Sequence, residues 1–235
     1  PVTPEVASSS LVGPANFLIQ GSVVLPFFFC VRPVRRGRAW GRQVKPAVFL
    51  DRDGTLNVDV GYLDRHERLA LFPWSLDSIR LLRRAGYAVV VVTNQIGVAR
   101  GMVDERFIED VYQFIQARLG DIGEQLDGHY YCPHEPSALI KAFRVDCDCR
   151  KPKLGMVTRA ARDLGLDISR SVVVGDKWSD IGLARAAGAR GVLVRTGYGR
   201  SQEHMPVDGL AADSVVNTLM DAVSWILRHP PAGVR

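Results

Sequence analysis

Three stretches of this chain are apolar without interruption and then stop on a residue able to do chemistry. PAVFL runs into Asp51, AVVVV into Thr93 and SVVVG into Asp176. A short, Val-rich run of this kind suits a strand covered on both faces, the condition of a parallel sheet. Between the runs, apolar residues recur at helical spacing. The spacing predicts helices over 76–85 and 104–119, the second carrying Phe107, Ile108, Val111, Phe114, Ile115 and Leu119 on one stripe. Further helices are expected over 156–164, 181–187 and 215–227, and further strands over 129–132 and 191–195. Gly86, Gly165 and Gly188 stand where helices should stop.

Alternating strands and helices imply an α/β fold, a Rossmann-like three-layer sandwich around a mostly parallel sheet. In such sheets ligands bind beyond the carboxyl ends of the strands. Asp51, Asp53, Thr93, Asn94 and Asp176 all fall at strand ends, and Lys151 falls in the loop before the helix over 156–164.

In FLDRDGTLN, residues 49–57, two carboxylates two positions apart leave a strand together and Gly54 turns the chain. Asp51 can attack phosphorus as a nucleophile. The Asp53 side chain, pointing elsewhere, can protonate the leaving oxygen and later deprotonate the water that breaks the acyl phosphate. Magnesium held by Asp51, the Asp53 backbone carbonyl and Asp176 would offset repulsion between the anionic attacker and the phosphate. The Thr93 hydroxyl and backbone N–H groups near Asn94 could hold phosphate oxygens, and Lys151 could neutralise charge in the transition state. Each element alone has a plain structural reading: turn aspartates, a polar strand end, a solvated lysine. Asp180 has one too, as an acid in the first turn of a helix, beside its reading as a support for the metal site. It is their appearance in order, each at a strand or loop end, that makes the chemical case.

Cys132 and His134 are followed, after twelve intervening residues, by Cys147 and Cys149. Three sulfurs and an imidazole suit tetrahedral structural zinc, although one intervening residue per pair is tighter than the usual two. The loop has little apolar content of its own, so a metal clip would supply its order. It ends at Arg150 and Lys151, so zinc would position the lysine rather than do chemistry. Few cysteines in a chain of 235 residues do not make a disulfide framework, and thiolate ligands favour a reducing compartment, here the cytoplasm.

The order DxDGT, strand ending in Thr, Lys, then GDxxxD resembles the haloacid dehalogenase-like phosphatase superfamily over about residues 46–200. That resemblance implies Asp51 as nucleophile, Asp53 as general acid/base, Thr93 and Lys151 as phosphate ligands and Asp176 as a magnesium ligand. The zinc loop followed by CRKPK resembles two zinc-loop families, the heptose 1,7-bisphosphate 7-phosphatases and the histidinol-phosphate phosphatases. TNQIGVARG, residues 93–101, and GDKWSD, residues 175–180, are closer to the heptose pattern, with Ile96 and Leu154 as departures beside the site. The implied substrate is a phosphosugar of nucleotide-heptose supply for surface polysaccharide, with histidinol phosphate as the alternative. Arg150 is then expected to touch substrate and Asn57 to lie near the pocket. About twenty residues between Asp53 and the next helix leave no room for a cap domain.

The net charge of +5 does not point to nucleic acid. Six of the basic residues and a single acid precede Pro46, which leaves the remainder neutral. Residues 1–45 read as a poorly ordered extension. Phe17 to Val31 is apolar but short of the ~20 residues of a spanning helix, and its arginines follow it, the reverse of a secretory signal. A weak interfacial anchor is the other reading of that segment. The phosphatase domain is then 46–235, with its zinc loop at 132–149, expected to be a monomer with no membrane or nucleic-acid partner. A phosphate-binding module on a decayed enzyme is a further alternative, but decay would remove Asp51 or Asp53, and both are present.

Overall fold

A computed structural model describes residues 44–231. The extension read at 1–45 therefore lies outside the described residues, except Val44 and Lys45, and so does Cys30. Six strands form one sheet: β1 (Lys45–Leu50), β2 (Ala88–Asn94), β3 (Gly128–Cys132), β4 (Leu166–Gly175), β5 (Arg190–Val194) and β6 (Ser214–Val216). Their spatial order is β3-β2-β1-β4-β5-β6 and every pairing is parallel. The helices are α1 (Ser75–Arg84), α2 (Ile96–Ala99), α3 (Glu105–Gly120), α4 (Gly155–Leu164), α5 (Trp178–Ala187), α6 (Gly199–Glu203) and α7 (Leu219–Arg228).

The sheet separates two cores because alternate strand residues point to opposite faces. Val48, Leu50, Val89, Val91, Val172 and Val174 pack against α1, α3 and α7. Ala47, Phe49, Val90, Val92 and Val173 pack against Met156 and Val157 of α4 and Leu183 and Ala184 of α5. This is a three-layer α/β sandwich. The parallel strands are buried on both faces, which is why their sequences read as unbroken apolar runs.

Pro46 brings no N–H to the ladder, and the register of β1 against β4 slips between Pro46 and Val48. The Ala47 N–H there donates to the Ser171 hydroxyl at 2.8 Å, and that hydroxyl donates to the Asp167 carbonyl. This slip explains why β4 begins at Leu166, ahead of the apolar run at 171–176. A larger correction concerns the segment expected as a helix over 215–227. Ser214–Val216 instead extends the sheet beside β5, and the helix starts only at Leu219. Val215 and Val216 fit a helical stripe as well as a strand, but Thr218 decides the boundary. Its side chain and that of Asp221 cap each other's backbone N–H groups. Trp178 likewise opens α5 earlier than the expected Ile181.

The strand order reverses between β1 and β4, so the carboxyl ends of these two strands flank the switch point where a ligand crevice forms. Only loop and one 3-10 turn, His66–Arg68, lie between β1 and α1, so no cap domain is inserted there. Replacing Thr218 by Ala removes the α7 cap. We expect a loss of about 1 kcal/mol, read as a Tm lower by about 2–4 °C.

Candidate active site

Asp51, Asp176 and Asp180 lie buried together at the switch point, with carboxylate oxygens within 4.8 Å of one another. Asp51 follows β1, Asp176 follows β4, and Asp180 sits in the first turn of α5. Burying three carboxylates side by side demands positive charge. Lys151 supplies the first part. Its ammonium lies 2.9 Å from Asp51 Oδ1 and 2.6 Å from Asp180 Oδ1, and donates to the Val92 carbonyl at 2.9 Å. Burial alone would lower the Lys151 pKa, but Asp180 and Asp51 outweigh it and raise it. Asn94 fixes the lysine backbone, accepting from the Lys151 N–H at 3.0 Å through Oδ1. Asn94 thus positions the lysine.

Asp176 is the least satisfied of the three. Its Oδ2 accepts from the Tyr198 N–H at 2.8 Å, while Oδ1 is buried with no hydrogen-bond donor and has only the Lys177 ammonium 3.5 Å away. Burial, followed by the charge of Asp51, pushes its pKa up to about 7. The chain closes tightly around it. Gly54, at φ +82°, would put a Cβ 2.3 Å from Asp176 Oδ2, and Gly197, at φ +55°, would put one 2.2 Å from the same atom. Only glycine permits both approaches. Asp180 is committed to Lys151 and, through Oδ2, to the Lys177 N–H. Apart from their lysine ion pairs, Asp176 Oδ1 and Asp180 Oδ1 are both buried without a hydrogen-bond donor, and with Asp51 they form an oxygen cluster whose chemistry suits a hard divalent cation.

Asp53 leaves the same strand end in another direction and is surrounded by donors. Oδ1 accepts from Arg52 Nε at 3.2 Å and Asn57 Nδ2 at 2.9 Å. Oδ2 accepts from Arg52 Nη2 and Gln95 Nε2, each at 2.8 Å. Burial works against its ionisation, yet Arg52, Asn57 and Gln95 together hold the Asp53 carboxyl below the usual carboxylate range. Thr93 lies alongside, its Oγ1 accepting from Gln95 Nε2 at 2.8 Å.

Beyond β3 the four cysteine and histidine side chains converge. Cys132 Sγ is 3.5 Å from Cys147 Sγ, and His134 Nδ1 is 3.3 Å from Cys149 Sγ. The Cys132 sulfur and burial push the Cys149 thiol up, while burial lowers the His134 pKa and leaves its imidazole neutral. Thiols crowded in this way ionise when a cation joins them, so the set fits a tetrahedral zinc. The loop is tied back to the site by the Gln95 N–H, which donates to the Cys132 carbonyl, and by Arg150 Nη1, which donates to the His134 carbonyl at 3.2 Å.

A family profile described as HAD-hydrolase-like matches residues 148–222. The D-glycero-β-D-manno-heptose-1,7-bisphosphate 7-phosphatase of Salmonella typhi is 45% identical over 185 residues, covering 78% of this chain and 96% of that protein. The chain belongs to the heptose-bisphosphate phosphatase family of haloacid dehalogenase-like hydrolases. The equivalent protein of Vibrio cholerae, also a member of this phosphatase family, is 40% identical over 97% of its length. The D,D-heptose 1,7-bisphosphate phosphatase of B. bronchiseptica, solved with magnesium and phosphate, superposes with a TM-score of 0.69 at 31% identity. It covers 78% of this chain and 99% of that one.

The fold brings Asp51, Asp53, Thr93, Asn94, Lys151 and Asp176 together at the carboxyl end of the sheet. Asn57 is fully buried behind Asp53 rather than lining the opening. Arg150 is held by the zinc-type loop. Arg52 and Gln95 escape sequence reading, the first as a spacer between two aspartates, the second as the residue before a short helix. Lys177 and its partner Asp59, 3.2 Å apart, escape it as well.

Two predictions come from these charges. Asp176 has a folded pKa above its ordinary value, so stability of the metal-stripped protein falls as pH rises from about 4 to about 7. A divalent cation bound beside Asp176 should restore it, so the Tm gain on adding magnesium should grow across that window in a pH series. Replacing Cys149 by Ser should remove most bound zinc, measured by elemental analysis, and lower the Tm.

Proposed function

We propose that this phosphatase removes the 7-phosphate from D-glycero-D-manno-heptose 1,7-bisphosphate, in nucleotide-heptose supply, through an aspartyl phosphate on Asp51. The juxtaposition that carries the catalytic part is Asp51 beside the buried Lys151 ammonium and beside Asp176, whose free oxygen has no donor. The substrate is supported by relatives of that name matched over nearly their whole length.

An Asp51 carboxylate oxygen attacks phosphorus, and the bond from phosphorus to the sugar oxygen breaks. Asp53, protonated from solvent once the phosphate is bound, gives that proton to the departing oxygen and is left as a carboxylate. The arriving phosphate dianion supplies the negative charge that lets Asp53 hold this proton against Arg52. Asp53 then takes a proton from water, which attacks phosphorus and returns Asp51 as a carboxylate and phosphate as product. Lys151 and the Thr93 hydroxyl hold the transferring oxygens, and Lys151 neutralises the charge that develops on them. Asp51, Asp176 and the Asp53 carbonyl would hold magnesium, which would supply positive charge to screen the approach of one anion to another. Arg150, next to Lys151 in the chain and donating to the His134 carbonyl, would contact the substrate through its guanidinium. Cys132, His134, Cys147 and Cys149 would hold zinc, which would order the loop that leads into Arg150 and Lys151.

The test is phosphate release with magnesium from heptose 1,7-bisphosphate, fructose 1,6-bisphosphate and histidinol phosphate. The expected result is a preference for the heptose ester, with loss of at least about 10³-fold in Asp51→Asn. Preference for histidinol phosphate overturns the substrate. Equal activity in Asp51→Asn overturns the mechanism.

A further inference from the structure

One amide group in this site touches more functional parts than any other side chain. The Gln95 Nε2 carries two hydrogens. One goes to Asp53 Oδ2 at 2.8 Å and the other to Thr93 Oγ1 at 2.8 Å. Its Oε1 accepts from Arg52 Nη2 at 3.0 Å, and its backbone N–H donates to the Cys132 carbonyl at 2.7 Å. A glutamine amide can in principle be turned over, but here it cannot. Arg52 is a donor with no acceptor, so a reversed amide would set N–H against N–H. Arg52 is itself 1% exposed and holds Asp53 from the other side through Nε and Nη2. The buried arginine thus fixes the sense of the amide, and the amide fixes two neighbours at once.

The consequence for each neighbour differs. Thr93 accepts from Gln95, so its own hydroxyl hydrogen is left to point toward an incoming phosphate oxygen. The Asp53 carboxylate, its side chain 20% exposed, is held in one rotamer by donors on both oxygens. Gln95 also starts directly at the end of β2, and its main chain is anchored to a residue of the cysteine cluster. Order imposed on that loop reaches Asp53 through a single residue.

We propose that Gln95 is a positioning residue. It aims the Asp53 carboxyl at the leaving oxygen and the Thr93 hydroxyl at the phosphate. This inference rests on Asp53 being the general acid, as in the proposed function. A misaimed acid should matter most when the departing oxygen needs its proton. A sugar alkoxide needs it; a nitrophenolate leaves without it.

The experiment compares kcat/KM, which reports steps through the first departure, for heptose 1,7-bisphosphate and for 4-nitrophenyl phosphate. The variants are Gln95→Met, which keeps the volume and removes every polar contact of the side chain, and Gln95→Glu, which keeps an acceptor for Arg52 and loses both donor hydrogens. Asp53→Asn is the reference. Zinc content and cooperative melting show that each variant is folded, and the glutamate variant carries the test should the methionine one fail to fold. We expect both to lose about 10–100-fold on the sugar ester. The loss on the aryl ester should be smaller by about tenfold or more, the same signature as Asp53→Asn. Equal losses on both esters, or wild-type activity in Gln95→Glu, overturn the positioning role while Asp53→Asn keeps the mechanism. If Asp53→Asn shows no dependence on the leaving group, Asp53 is not the acid and both readings fall.

Discussion

The buried Lys151 ammonium is the interaction on which this site depends. Asp51 and Asp180 are nearly sealed from water, and an isolated carboxylate in that setting gives up its charge instead of staying ionised. Lys151 meets both of them and a main-chain carbonyl, so its position is set by three partners on three elements. It balances part of the negative charge and leaves Asp176 short of a donor. The imbalance is local and directional. It makes this end of the sheet suited to a divalent cation.

The fold places these groups by placing strand ends. Because β1 and β4 are adjacent and parallel, their carboxyl ends emerge side by side, and Asp51 and Asp176 cannot avoid each other. The two glycines that close on Asp176 sharpen the effect, since Gly54 belongs to the loop after β1 and Gly197 to the loop after β5. A methyl group at either place would push the aspartate out of line. Lys151 and Asn94 add the remaining constraint by joining the loop before α4 to the end of β2.

With no cap inserted after β1, the walls of the opening are loops, and they are cross-linked where they meet. Arg100, just after α2, makes a two-point ion pair with Glu135 at 2.8 and 3.0 Å. It also donates to the Tyr62 hydroxyl and lies over that ring. Arg68 holds the carbonyls of Val60 and Tyr62. The loop after β1, the turn after β2 and the cysteine-bearing loop are thereby tied to one another by planar guanidinium groups, whose fixed fork suits such bracing. A wall braced in this way is preformed, which serves a small polar ligand better than a surface that must order itself on binding.

Most of the candidate set was legible because a parallel sheet writes itself plainly. Its strands are apolar throughout, so the first polar residue after each run marks a strand end, and strand ends are where ligands bind. Asp51, Thr93 and Asp176 are all found by that rule. Gln95 and Arg52 are not, for a physical reason. Arg52 reads as a spacer until burial shows that it has no solvent to face. Gln95 acquires its meaning from four partners that the chain brings from residues 52, 53, 93 and 132. No period or spacing records such a convergence. β6 was missed for a related reason. Three residues carry too little pattern to distinguish two periods, and the choice between strand and helix was made by the Thr218 cap and by an open edge on β5. What sequence reading finds, then, is whatever one element fixes by itself; what it misses is set by the meeting of several.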